Sequence, residues 1–228
     1  MNIGDRIIEL LRTKGTLNRD VEDTTFLVFN RLKQVLQEFE KSLKQQMGNV
    51  DPRIRIQYTD KGTYEVELTV ADDLLIFIMH TNAFVFDPAH AIWRSGYVNS
   101  DNSRATVEVV SIYNFLSDSF KFDRKNDMGQ LIGRMFVNKE EHFFMEGKKQ
   151  LGFLFNDYVN MQANEEKIQA IIEAAVTYSM DIDVIVPPFD LMKEITVFET
   201  MAYTLQTSLK SSQRLGFKFQ NDKPNIEG

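Results

Sequence analysis

No cysteine occurs in the chain, which excludes disulfides, thiolate metal sites and cysteine nucleophiles. Proline and glycine are scarce, at 5 and 11 of 228 residues, and with 26% charged residues the composition is that of an ordinary globular protein without the signature of disorder. Long hydrophobic runs are missing too. The longest purely apolar stretch, Leu74 to Met79, has 6 residues, against the ~20 that a helix needs to cross a bilayer. The opening "MNIGDRIIELLRTKG" places Asp5 and Glu9 among its apolar residues and so lacks the uninterrupted core of a signal peptide. The expectation is a soluble, cytoplasmic protein without a membrane partner.

Excess positive charge is also absent: 26 basic residues face 33 acidic ones, for a net charge of −7. An acidic chain repels polyanions, so nucleic acid is disfavoured as a partner. What is abundant is apolar material, 43% of residues with 18 Phe, which supplies a sizeable core. The length suits one larger α+β unit or two small ones.

Three regions follow one another. In residues 1–48, Ile3, Ile7, Ile8 and Leu11 predict a short helix ended by Gly15. Asp20 then reads as the cap of a long helix whose stripe is Phe29, Leu32, Leu36, Phe39, Leu43 and Met47, stopped by Gly48-Asn49. Residues 53–155 read as sheet. "RIRIQYT" and "TYEVELTV" alternate around Asp60-Lys61-Gly62 as a hairpin, and 74–79 and 83–86 extend it to a four-strand meander. Further strands are predicted at 105–113, 130–137, 141–146 and 150–155, with a helical turn allowed between the first two. Residues 164–216 return to helix, first from an Asn164 cap and then from an Asp190 cap to Gly216. The fold class expected is therefore α+β: a central antiparallel sheet of about six to eight strands flanked by N-terminal and C-terminal helices, all within one domain spanning 1–220, with a tail at 221–228. Two helices this long predict ends that overhang the sheet, a basis for a homodimer.

Chemistry is sparser. Asp127, Glu146 and Lys148 have the residue types of a metal-dependent hydrolase or nuclease, in which carboxylates hold a cation that activates water and a lysine stabilises charge on phosphate. Gly147 interrupts the strand that such a site needs, so "EGKK" at 146–149 reads better as the loop of a hairpin between 141–146 and 150–155. His80, His90 and Asp87 match no paired metal-ligand spacing, and Asp181 and Asp183 read as the solvent face of a strand. No phosphate loop, nucleophile elbow or calcium loop occurs, and no motif names a cofactor.

The segment 87–104 stands out, because 18 residues without a helical or strand period are long for a loop in a compact domain. It carries the one Trp of the chain. Trp93, Arg94 and Tyr97 are residue types enriched at binding hot spots, and Arg104 adds a guanidinium able to grip carboxylate or phosphate. Trp93 can equally plug the end of the sheet, the commoner fate of a lone Trp. The resulting expectation is a non-enzymatic binding or regulatory module for a protein or a small anionic ligand, with the metal-dependent hydrolase as its alternative.

Overall fold

The computed structural model describes residues 2–48, 51–125 and 127–183. Its centre is a 7-stranded antiparallel sheet: β1 (Ile56–Asp60), β2 (Glu65–Val70), β3 (Asp73–Met79), β4 (Phe84–Val85), β5 (Thr106–Leu116), β6 (Gln130–Asn138) and β7 (Phe143–Gly147). The order is β1-β2-β3-β5-β6-β7, and β4 pairs with β5 just beyond the end of β3. Together with its helices, this is the expected α+β fold with a central antiparallel sheet.

Register assigns the two faces. Val66, Phe77, Ile112 and Gly133 are successive cross-strand neighbours, as are Met79, Val110, Met135 and Met145. These rows carry the main core, and α2 (Thr16–Met47) and α6 (Glu165–Met180) cover them with Val28, Phe29, Leu32, Leu36, Ile168, Ile171, Ile172 and Ala175. Helix α6 starts where its sequence says, with the Asn164 side chain accepting from the Lys167 N–H at 2.9 Å. Both helices therefore sit on one face, as their apolar stripes require.

The N-terminal helix differs from its expected form. Helix α1 (Ile3–Leu10) is capped by Asn2, whose side chain accepts from the Asp5 N–H at 2.8 Å. It runs through a π turn at Leu11–Gly15 straight into α2, so Gly15 ends nothing and Asp20 lies within a helix already under way. In the π turn the Thr13 hydroxyl donates to the Glu9 carbonyl at 2.8 Å, and one wider turn lets the chain pass a glycine without stopping. Residues 3–47 thus form one rod of roughly 65 Å at 1.5 Å per residue. Its first buried residue is Val21, and the overhang carries Ile3 at 81% and Leu11 at 65% exposure.

Three strand assignments need correction. The β1–β2–β3 meander is present, but β4 continues along β5, because the chain turns out at His80–Ala83 before it can pair back on β3. Residues 150–155 are not a strand: α5 (Gln150–Leu154) forms there and packs against β7. The expected loop at 146–149 is consequently shifted, with Glu146 and Gly147 inside β7. Gly147 is small because α5 needs the space. A Cβ on Gly147 would lie 2.7 Å from Leu151 Cβ, and one on Gly152 would lie 2.4 Å from the Gly147 carbonyl. Asp181 ends α6 and Asp183 follows it without strand structure. The helix expected from Asp190 to Gly216 and the 221–228 tail lie outside the described residues.

Candidate functional site

The second face of the sheet carries a smaller apolar cluster, built from Ile92, Val98, Val107, Val109, Phe136, Phe144 and Tyr158, against which Phe86, Trp93 and Tyr97 pack. Its cover is the segment after β4. That segment is not irregular throughout: it folds into a 3-10 turn (Ala91–Arg94), α3 (Gly96–Ser100) and a second 3-10 turn (Asn102–Ala105). Each start is capped locally, by His90 Nδ1 on the Ile92 N–H, by the Ser95 hydroxyl on the Val98 N–H, and by the Asp101 carboxylate on the Ser103 N–H. A segment rich in Asp, Asn, Ser and His turns repeatedly because those side chains bond their own backbone.

The segment is latched to the β6–β7 turn by a network around Glu140. That carboxylate accepts from the Tyr97 hydroxyl at 2.8 Å and from Arg104 Nε at 3.0 Å. Arg104 also donates to the Tyr97 carbonyl at 2.9 Å and to the Ser100 hydroxyl at 2.7 Å. Asn138 Nδ2 donates to the Tyr97 hydroxyl at 2.9 Å, and the Tyr158 hydroxyl donates to the Arg104 carbonyl at 2.6 Å. His142 stacks on Tyr97 with ring centroids 4.7 Å apart. Burial, together with the charge on Glu140 and against the Asn138 hydrogen bond, pushes the Tyr97 phenol up to about 12, so it stays a donor at all ordinary pH. Burial raises Glu140, but hydrogen bonds from Tyr97 and Arg104 outweigh it and hold the carboxyl below its ordinary value. Tyr97 and Arg104, expected to meet a ligand, thus spend their polar groups inside the chain.

Trp93 and Arg94 stand differently. Trp93 is half-buried against the second cluster and its Nε1 donates to the Asp87 carbonyl at 2.9 Å, which seats the indole as part of the cover. Arg94 is exposed beside it.

Two cavities border this cover. One, of about 460 Å³, lies between Phe84, Phe86 and Asp87 on one side and Tyr113, Leu131 and Arg134 on the other. The other, of about 430 Å³, lies among His90, Ile92, Phe144, Asp157, Tyr158 and Val159. Glu146 lines both. It sits directly across the ladder from Arg134, which donates to its Oε2 and lies over the Phe136 ring with its guanidinium carbon 5.3 Å from the centroid. On the floor of the first cavity, His80 Nε2 and the Ser111 hydroxyl are hydrogen-bonded at 3.0 Å.

Arg134, Ser111 and the Phe86–Phe136–Phe144 cluster were not anticipated, and His80, weighed from the sequence only as a metal ligand, pairs with Ser111 instead. Arg134 was within reach, since antiparallel strands joined at 138–142 place positions 134 and 146 opposite each other.

The hydrolase residues have separate surroundings. The side chain of Asp127 is enclosed in the connection before β6, accepting from the Ser119 hydroxyl at 2.8 Å and paired with Arg124 at 3.0 Å. Glu146 is held by Arg134, and Lys148 is exposed past the end of β7. Among the described residues no hydrogen bond or ion pair joins any two of Asp127, Glu146 and Lys148, and no group of three or more His, Cys, Asp or Glu has the placement to hold a metal. Among the described residues no helix is long and apolar enough to cross a membrane. Comparisons with protein-family models, with curated proteins and with solved structures find no match to this chain.

Proposed function

We propose that this chain is a non-enzymatic, cytoplasmic binding module whose partner docks on the second face of the sheet, along the margin of the 84–104 cover. The observation that carries the reading is the pair of cavities meeting at Glu146, each within the ~300–1,000 Å³ range of ligand sites and walled by aromatic rings with a few polar groups. Trp93 and the Glu140 network hold the cover in place, and Phe84 and Val85 form an exposed apolar rim.

Of the two ligand kinds considered, a protein and a small anion, the lining favours the protein: among the described residues the two cavities together are lined by Asp87, Glu146 and Asp157 against one guanidinium, Arg134. The hydrolase alternative has less support: Asp127 is paired with Ser119 and Arg124, Glu146 with Arg134, and among the described residues no hydrogen bond or ion pair links the two carboxylates. Self-association through the overhanging N-terminal helix is a second part of the proposal, supported by five exposed Ile and Leu side chains on Ile3, Ile7, Ile8, Leu10 and Leu11.

The docking reading is tested by screening the full chain against an array of random hexapeptides. The expected result is retention of a subset of peptides, lost by about tenfold in the double variant Phe84→Ser, Val85→Ser with an unchanged melting temperature. Retention unaffected by the double variant would contradict it. For the alternative, a metal-stimulated phosphodiesterase activity abolished by Glu146→Ala and Lys148→Ala would establish the hydrolase.

A further inference from the structure

We propose that the docked segment is basic as well as apolar: a Lys or Arg side chain seated at Glu146, with apolar neighbours reaching into the cavity on either side. This rests on the docking reading above and specifies its partner.

Charge at the site points this way. Among the described residues, Asp87, Glu146 and Asp157 are the acidic members of the two linings and Arg134 the one strongly basic member. Arg134 engages Oε2 of Glu146, and among the described residues no donor is recorded on Oε1. A carboxylate has room for several donors, so a second cation can share Glu146 without displacing the first.

The walls suit a cation as well. Phe86, Phe136 and Phe144 form one aromatic cluster, with Phe136 and Phe144 stacked at 4.9 Å and Phe86 at 5.4 Å from each. Aromatic faces carry negative potential and attract guanidinium and ammonium groups. The chain already makes this contact once, in the placement of Arg134 over Phe136 beside Glu146. The proposed partner residue would repeat it from outside. Long-range charge acts in the same direction, because a chain of net charge −7 steers basic partners toward it and slows acidic ones.

The spacing allows apolar neighbours. An extended peptide places alternate side chains on one side, and the two cavities lie on either side of the residue they share. A side chain of Leu or Phe size on each flank of the cation would enter an aromatic-walled space rather than solvent.

The test uses fluorescein-labelled synthetic peptides Leu-Val-X-Val-Leu-amide, with X as Arg, Lys, Gln or Glu, to which the full chain is added while fluorescence polarisation is read. The expected result is binding about tenfold tighter for Arg and Lys than for Gln, weakest for Glu, and weakened by added salt. In Glu146→Gln the preference for Arg over Gln should shrink to about twofold or less while the Gln peptide keeps its affinity. Asp87→Asn, at an exposed position, provides a second variant that should reduce the same preference without touching the ladder. Equal binding of all four peptides, or preference for Glu, overturns the inference and leaves the docking reading standing if the Phe84→Ser, Val85→Ser variant still weakens them. Failure of every peptide, together with an array that retains nothing, overturns both.

Discussion

The guanidinium of Arg104 lies over the ring of Tyr97, 4.2 Å from its centroid, and both residues hold the same carboxylate, Glu140. Ring, guanidinium and carboxylate form one closed unit that fastens the 84–104 cover to the β6–β7 turn. Tyr97 and Arg104 fasten the cover through these contacts.

Removing Arg104 leaves Glu140 and the Tyr97 and Ser100 oxygens short of a donor. Arg104→Ala is expected to cost ~1–3 kcal/mol, modest because both partners keep some solvent contact. A chain of this size then loses roughly 2–12 °C in melting temperature at ~2–4 °C per kcal/mol. Tyr97→Phe should cost less, since it keeps the ring under Arg104. Calorimetric melting of the two variants checks the order.

Glu108 supplies a pH dependence. It is 1% exposed, on the helix-covered face of β5 opposite Val137, and its Oε2 has no hydrogen-bond partner among the described residues. Burial, with the charges of Glu22 and Asp23 adding to it and that of Arg19 opposing, pushes the carboxyl up to about 7 from an ordinary 4.5. The folded chain therefore binds this proton more tightly than the unfolded chain. Its contribution is fully present below pH ~4.5 and is lost as the pH rises through ~7. Glu108→Gln, neutral throughout, should match the wild type near pH 4.5 and exceed it by ~1–3 kcal/mol at pH 8. Urea unfolding at both pH values measures the difference, and a constant offset across the range would refute the assignment.

Gly152 and Gly147 meet where α5 folds back on β7. Since a Cβ at Gly152 would stand 2.4 Å from a backbone oxygen, Gly152→Ala must shift the helix or the strand end. The expected loss is ~1–3 kcal/mol, the usual cost of overpacking. Gly96→Ala, where a Cβ meets nothing within 4 Å, serves as the control and should change stability little.

The overhang at residues 3–20 predicts association. Ile7→Glu with Leu11→Glu should convert a concentration-dependent larger species into a monomer in sedimentation velocity, without lowering the melting temperature, because neither side chain is buried in the chain itself. A wild type that stays monomeric across the concentration range rules out this part of the proposal.

Period-two alternation made β1 and β2 legible, and Asn164 followed by two glutamates marked the start of α6 to the residue. Helix α5 was hidden because 5 residues are too few to display a period, and Phe153, with Phe155 just past its end, mimics a strand. The continuous N-terminal rod was hidden by Gly15, a stop signal that a π turn bypasses. The 87–104 segment was recognisable by its length and composition. What its side chains do was not, because Arg104 and Tyr97 are committed by Glu140, a residue 36 and 43 positions away. Pairings over such separations are set by tertiary packing, which local patterns do not encode.

The docking groove is the central claim, and amide chemical-shift mapping tests it most directly. The full chain, labelled with nitrogen-15, is titrated with the hexapeptide that the array retains most tightly. The account predicts perturbations concentrated at residues 84–87, 109–111, 134–136 and 144–146, around the two cavities that share Glu146. Perturbations centred instead on Phe39, Leu43, Gln169 and Glu173, in the groove between α2 and α6, would contradict it.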